Sequence, residues 1–132
     1  MNRTTISSYR DLKVWQEAIE LAVMCYSETR SFPREEVFGL TAQIRRAAAS
    51  IAANIAEGHG RETPGAFVQF LRIAQGSTKE LETHLTLSHR IGLLPSVRTG
   101  KLLSSCDDIG KMLRSLIRSL QRTTQGEKEA RP

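Results

Sequence analysis

The sequence predicts an all-α protein, an antiparallel up-down-up-down four-helix bundle, on three observations. Apolar residues recur at helical 3,4 spacing through four separate segments. Short runs rich in Gly, Pro and Ser separate those segments and leave connections of a few residues, which favours antiparallel neighbours. No alternating strand pattern of useful length occurs. With 132 residues the chain is long enough for one domain with its own core.

The first helix is expected over residues 11–29, with Leu12, Trp15, Ile19, Ala22 and Tyr26 as its apolar seam. Ser8, with Asp11 three residues on, forms a capping-box pattern at its start. A break at Ser31-Phe32-Pro33 leads into the second segment, residues 34–57, which Gly39 and Thr41 divide into a short turn and a longer helix capped by Thr41. Its seam is Leu40, Ile44, Ala48, Ile51 and Ile55, and Gly58 and Gly60 are read as its stop. Thr63 as N-cap and Pro64 at the first helical position open the third helix. It runs to Ile91 with Phe67, Phe70, Ala74, Leu81, Leu85 and Ser88 on its buried side, and Gly92 and Pro95 end it. The fourth helix is expected over 96–121 on Leu102, Cys106, Ile109, Leu113, Leu116 and Leu120. Residues 1–10 are read as an N-terminal extension, 11–122 as a single bundle domain, and the polar residues 123–132 as a disordered tail.

The formal net charge is +5, which favours acidic partners, nucleic acid first among them. No uninterrupted apolar run reaches the length of a membrane span, so no membrane partner is expected. The N-terminal residues lack the apolar core of a signal peptide, so the expected location is the cytoplasm and the Asn2-Arg3-Thr4 sequon carries no glycan. Cys25 and Cys106 lack metal-ligand spacing and are expected as reduced, packed thiols.

The second helix carries more small residues than one apolar stripe needs. Ile44, Ala47, Ala48, Ile51 and Ile55 share an arc of about 100°, and Ala49, Ala53 and Ala56 fall on roughly the opposite side. High helix propensity on a plain surface accounts for that alanine face; close approach of another helix also accounts for it, and is preferred. On the third helix Ile73, Glu80, His84 and Leu87 line a side about 100° from the core, which suits a partly buried contact. These residues, with Arg46, are the expected surface of a homo-oligomer. Arg46 is expected to pair across it with a carboxylate such as Glu80 or Glu82, with nucleic-acid contact as the alternative role.

The basic residues form rows elsewhere. Lys111, Arg114, Arg118 and Arg122 recur at 3,4,4 spacing opposite the fourth helix's seam, and Arg72, Lys79 and Arg90 form an outward row on the third. Repeated around an oligomer, such rows suit phosphate-backbone contacts with RNA or DNA, without sequence specificity. A solvated face that keeps the oligomer apart from others is the plainer reading of the same rows.

The strings YRDLKVWQEAIELAVMCY, SFPREEVFGL, QIRRAAASIAANIAEGHGR, FVQFLRIAQGSTKELETHL and IGLL occur in this order. They resemble the bacterial four-helix-bundle family encoded by intervening sequences of 23S ribosomal RNA genes, also called S23-type. The resemblance covers residues 9 to 94 well, and the fourth helix in character only. It implies an antiparallel bundle assembled as a homopentamer. It also implies a distant relationship to the accessory protein of diversity-generating retroelements, a basic pentamer that binds a reverse transcriptase and nucleic acid.

No residue set for catalysis is complete. A di-iron bundle needs two Glu-x-x-His motifs and two further inward glutamates, whereas Glu80 and His84 stand four apart without a second copy. The glycine-rich stretch at 57–65 lacks the lysine and the preceding strand of a phosphate loop. The expectation is a non-enzymatic oligomeric bundle without cofactor or metal. It serves as a nucleic-acid-associated accessory or, alternatively, as a scaffold for a protein partner with incidental charge.

Overall fold

The computed structural model describes the backbone of residues 8–130 and their side chains except those of residues 125 and 127–130. The sequon and most of the expected N-terminal extension, residues 1–7, lie outside the described residues, as do 131–132. A 3₁₀ turn, Tyr9–Asp11, precedes helix α1, Lys13–Thr29. A second 3₁₀ turn, Arg34–Glu36, precedes α2, Leu40–His59; α3, Pro64–Arg90, and α4, Ser96–Ala130, complete the chain. No strand occurs among the described residues.

The caps differ from expectation at three places. The Ser8–Asp11 capping box forms, but it closes the 3₁₀ turn, and α1 begins after Leu12 without a side-chain cap. Thr41 is buried inside α2 and caps nothing. The cap comes from Glu36, whose Oε1 accepts the Leu40 N–H at 2.9 Å. That carboxylate also sits in the positive end of the helix dipole. Gly58 does not stop α2 but lies buried within its last turn. Both boundaries of α3 follow the sequence signals. Thr63 Oγ1 accepts the Ala66 N–H at 3.1 Å with Pro64 at the first position. At the other end Gly92 takes φ 88°, while Leu93 N–H donates to the Ser88 carbonyl and Gly92 N–H to that of His89. That pair of bonds is a Schellman ending, for which glycine is suited.

Helix α4 does not end at Gln121. It continues to Ala130, through the residues read as a disordered tail. That stretch contains Gln, Glu, Lys and Ala against one interior glycine, and Pro132 lies beyond it, so nothing local breaks the helix. At 35 residues α4 is about 52 Å long, against about 40 Å for the 27 residues of α3.

Ser50 against Ser77 and Gly58 against Phe67 set α2 and α3 antiparallel, and Glu28 against Arg98 with Val14 beside Met112 sets α1 and α4 antiparallel; among the described residues the backbones of the diagonal pairs stay apart. The Ser50 and Ser77 hydroxyls bond at 2.8 Å between α2 and α3. Arg98 of α4 reaches Glu28 of α1 at 3.3 Å. The core is drawn from all four helices, with Leu21, Ile44, Ile51, Ile55, Leu71, Leu81, Leu85, Leu102, Ile109 and Leu113 almost wholly removed from water. The α1 seam is rotated from the expected one. Val14, Ala18, Leu21, Cys25 and Thr29 face the centre, while Trp15, Ile19 and Ala22 flank it and Tyr26 is exposed. Placing the smaller set inward keeps the helix axes close and leaves the bulky set to cover the gap to its neighbours. In α4 the inward row steps from Leu113 to Ile117, leaving Leu116 and Leu120 half-buried. A straight 3.6-residue helix drifts in this way from a heptad seam. No helix among the described residues is long and apolar enough to cross a membrane.

Cys25 and Cys106 are both free and buried. Burial, with a smaller contribution from Glu28, pushes the Cys25 thiol up from 9.0 to about 12. Burial does the same at Cys106, to about 12, assisted by Cys25 and Glu82 and opposed by Lys79. Below pH 9 both states of the protein hold these protons and the thiols add nothing to pH dependence. Above it the unfolded chain loses them while the folded chain keeps them, so stability falls. The expected loss is about 1.4 kcal/mol per pH unit for each thiol. Urea unfolding at two pH values above and below 9 measures it, and replacing both cysteines by alanine is expected to flatten that decline.

Candidate nucleic-acid interface and oligomer face

The two arginines at 45 and 46 have separate positions. Arg45 lies between α2 and the end of α1. Its Nε donates to Thr29 Oγ1 at 2.9 Å, its Nη2 to the Tyr26 carbonyl at 3.3 Å, and its guanidinium stands 4.6 Å from the Tyr26 ring centre. It therefore satisfies a terminal carbonyl of α1 with a cation at the negative end of that helix. The sequence did not single out this role. Arg46, one residue on, is exposed and makes no ion pair among the described residues.

Around Arg46 the outer face of α2 is small. Ala49 and Ala53 are exposed and Ala42 and Ala56 are half-buried. Ser50 and Asn54 turn the other way, towards α3. The Asn54 amide donates to the Ser50 carbonyl at 2.8 Å and to its hydroxyl at 3.0 Å. With Ser50 opposite Ser77 in antiparallel helices, Ala53 is level with the α3 turn that carries Ile73, and Leu40 with Leu87. Ile73 is 51% exposed and Leu87 47%. Between them on α3 the half-buried His84 places Nε2 3.7 Å from the exposed Glu80 carboxylate. The expected oligomer residues thus form two adjacent outward strips on α2 and α3. Phe38, just before α2, is 92% exposed near the end of this surface, which sequence reasoning did not flag.

The end of the α2–α3 hairpin is tightly built. A Cβ on Gly58 would stand 2.7 Å from Phe70 Cβ and 2.9 Å from Phe67 Cδ1. Arg61 pairs with Glu57 at 2.8 Å and lies 4.6 Å from the Phe70 ring centre. That pair holds Arg61 at the hairpin end, away from the basic rows.

The seven basic residues of those rows separate into groups. Lys111 pairs with Asp107 at 3.2 Å and Lys79 with Glu82 at 3.3 Å, both on the surface, where such pairs contribute little. Arg90 borders a shallow groove with Glu82, 18 residues and about 27 Å along α3 from Arg72. Arg72, Arg114 and Arg118 line one groove between α3 and α4, together with Gln75, Ile117 and Gln121. It joins, through Arg72 and Gln121, a wider hollow of about 460 Å³ bordered by Gly65, Val68, Gln69 and Thr124. Arg122 is exposed on α4, one turn beyond Arg118. Among the described residues no carboxylate lines either hollow, and none of these four arginines makes an ion pair. No group of three or more His, Cys, Asp or Glu able to hold a metal occurs among the described residues.

Comparison with curated proteins gives no match. Among solved structures the chain is similar to a protein of unknown function from the S23 ribosomal protein family of Bacteroides thetaiotaomicron. The TM-score is 0.71 and the identity 27%, over 79% of this chain and 97% of the other. The family model of the 23S rRNA-intervening sequence protein matches residues 10–115, from the first 3₁₀ turn through most of α4. With four helices of this order and a match over most of its length, the chain belongs to the 23S rRNA-intervening sequence protein family.

Proposed function

We propose that this chain is a non-enzymatic, homo-oligomeric bundle, a pentamer by the family resemblance, that binds the phosphate backbone of RNA or DNA. The observation that supports the reading most directly is a division of surfaces. The outer faces of α2 and α3 present alanines with Ile73 and Leu87, whereas the α3–α4 side presents Arg72, Arg114, Arg118 and Arg122 with no ion-pair partner among the described residues. Apolar and small surface suits contact between copies, and unneutralised guanidinium suits phosphate. A second reading, a scaffold for a protein partner, draws on the almost fully exposed Phe38, an aromatic of the kind that anchors protein interfaces.

The test is light-scattering mass followed by RNA and DNA titration at two salt concentrations. Five copies of the 14.7 kDa chain give about 74 kDa. Binding to phosphates is expected to weaken steeply with salt, by a slope of about 0.7 to 0.9 per contact. An oligomer that ignores nucleic acid supports the scaffold, and a 14.7 kDa species removes the assembly.

A further inference from the structure

Not all of the basic surface is equivalent. Lys79 and Lys111 each face a carboxylate within 3.3 Å, and Arg90 shares its groove with Glu82. Arg72, Arg114 and Arg118 instead converge from two helices on one concave strip with no acid among its described lining residues. Three uncompensated guanidiniums around one hollow repel one another, an arrangement that a bound anion would relieve.

The remaining lining defines the anion's shape. From Gly65 to Gln75 on α3 the two joined hollows span ten residues, about 15 Å. A single phosphate would occupy a small part of that length. Arg114 and Arg118 are one turn apart on α4 and can meet successive groups of an extended polyanion. Val68 and Ile117 give the floor an apolar strip. Gln69, Gln75 and Gln121 add amides that donate and accept, as base edges and sugar hydroxyls require. A single strand leaves its base edges free for these amides, whereas a duplex holds its Watson–Crick edges paired. Gly65 leaves the entrance open, with nothing within 4 Å of where its Cβ would be.

We infer that the α3–α4 groove is a binding site for a single-stranded nucleic-acid segment, with Arg72, Arg114 and Arg118 on its phosphates and Gln69, Gln75 and Gln121 on its bases or sugars. This rests on the nucleic-acid reading above and narrows it to one groove and one form of strand. With no aromatic among the described lining residues to stack a base, affinity comes from phosphates and follows salt closely.

The test is fluorescence anisotropy of a labelled single-stranded RNA with the full chain and two charge-matched variants, R72Q/R114Q/R118Q and K79Q/R90Q/K111Q. Circular dichroism and light-scattering mass establish that both fold and assemble as the unaltered chain does. Loss of three single-strand phosphate contacts corresponds to a slope change of about 2 and, at about 0.1 M salt, to roughly 100-fold weaker binding. That is expected of the groove variant only, with the other variant within a few-fold of the unaltered chain. Gly65→Trp keeps every charge and plugs the entrance, and it is expected to weaken binding as well. Equal losses in the two triple variants, or a duplex bound as tightly as the strand, would overturn the groove while leaving backbone binding by the basic faces standing. Absence of binding by the unaltered chain at low salt would overturn both.

Discussion

A single methyl group added at Gly58 is expected to destabilise the fold by about 2 kcal/mol, although the residue lies in a helix. Helix propensity favours alanine there by about 1 kcal/mol, chiefly through the smaller loss of backbone freedom on folding. Against it stands geometry. The new Cβ would meet Phe70 Cβ at 2.7 Å, Phe67 Cδ1 at 2.9 Å and the Phe67 carbonyl oxygen at 3.2 Å. The Phe67 ring can rotate away, but Phe70 Cβ and the carbonyl are fixed to the backbone of α3. Relief therefore needs the two helices to separate at their hairpin end, which opens gaps in the adjoining core. Thermal unfolding followed by circular dichroism is expected to show a midpoint lower by about 8 °C for Gly58→Ala. A midpoint equal to or above that of the unaltered chain would mean that propensity wins and that the crossing is looser than its distances indicate.

Ala53→Glu is expected to have the largest effect on assembly and almost none on the helices. Ala53 is exposed on the outer face of α2. Glutamate is nearly as good a helix former as alanine, so the single chain changes by less than about 0.5 kcal/mol. In the proposed oligomer the same position is covered, and each copy would bury an unpaired carboxylate at a cost of several kcal/mol. The assembly should dissociate to a 14.7 kDa species with an unchanged helical spectrum. A sedimentation profile identical to that of the unaltered chain would remove this face of α2 from the interface.

Fold class and element order were legible in the sequence because bundle helices are specified locally. Thr63-Pro64 starts α3 and Gly92 ends it by bonds that reach no further than five residues. Features that depend on a partner helix were not legible. Gly58 has the composition of a stop, and only the approach of Phe67 and Phe70 turns it into a contact point. Arg45 was indistinguishable from Arg46 until the carbonyl end of α1 was placed beside it. In α1 two apolar rows compete, Val14-Ala18-Leu21-Cys25 and Trp15-Ile19-Ala22. Side-chain size favours the second as a seam, whereas close packing puts the first inside. The candidate site was legible as basic residue types at helical spacing. Its grouping was not, because the α3–α4 register brings Arg72 to the groove of Arg114 and Arg118 and leaves Lys79 and Arg90 elsewhere.

The outward alanines of α2 also bear on the entropy of association. A lysine, arginine or glutamine fixed in a contact gives up roughly 1.5–2 kcal/mol of rotamer freedom, and an alanine gives up none. Ala42, Ala49, Ala53 and Ala56 therefore present a surface that is already as ordered before contact as after it. Another helix laid along this strip would gain its dispersion contacts almost undiminished, so a modest apolar area there can hold copies together where the same area of long polar side chains could not.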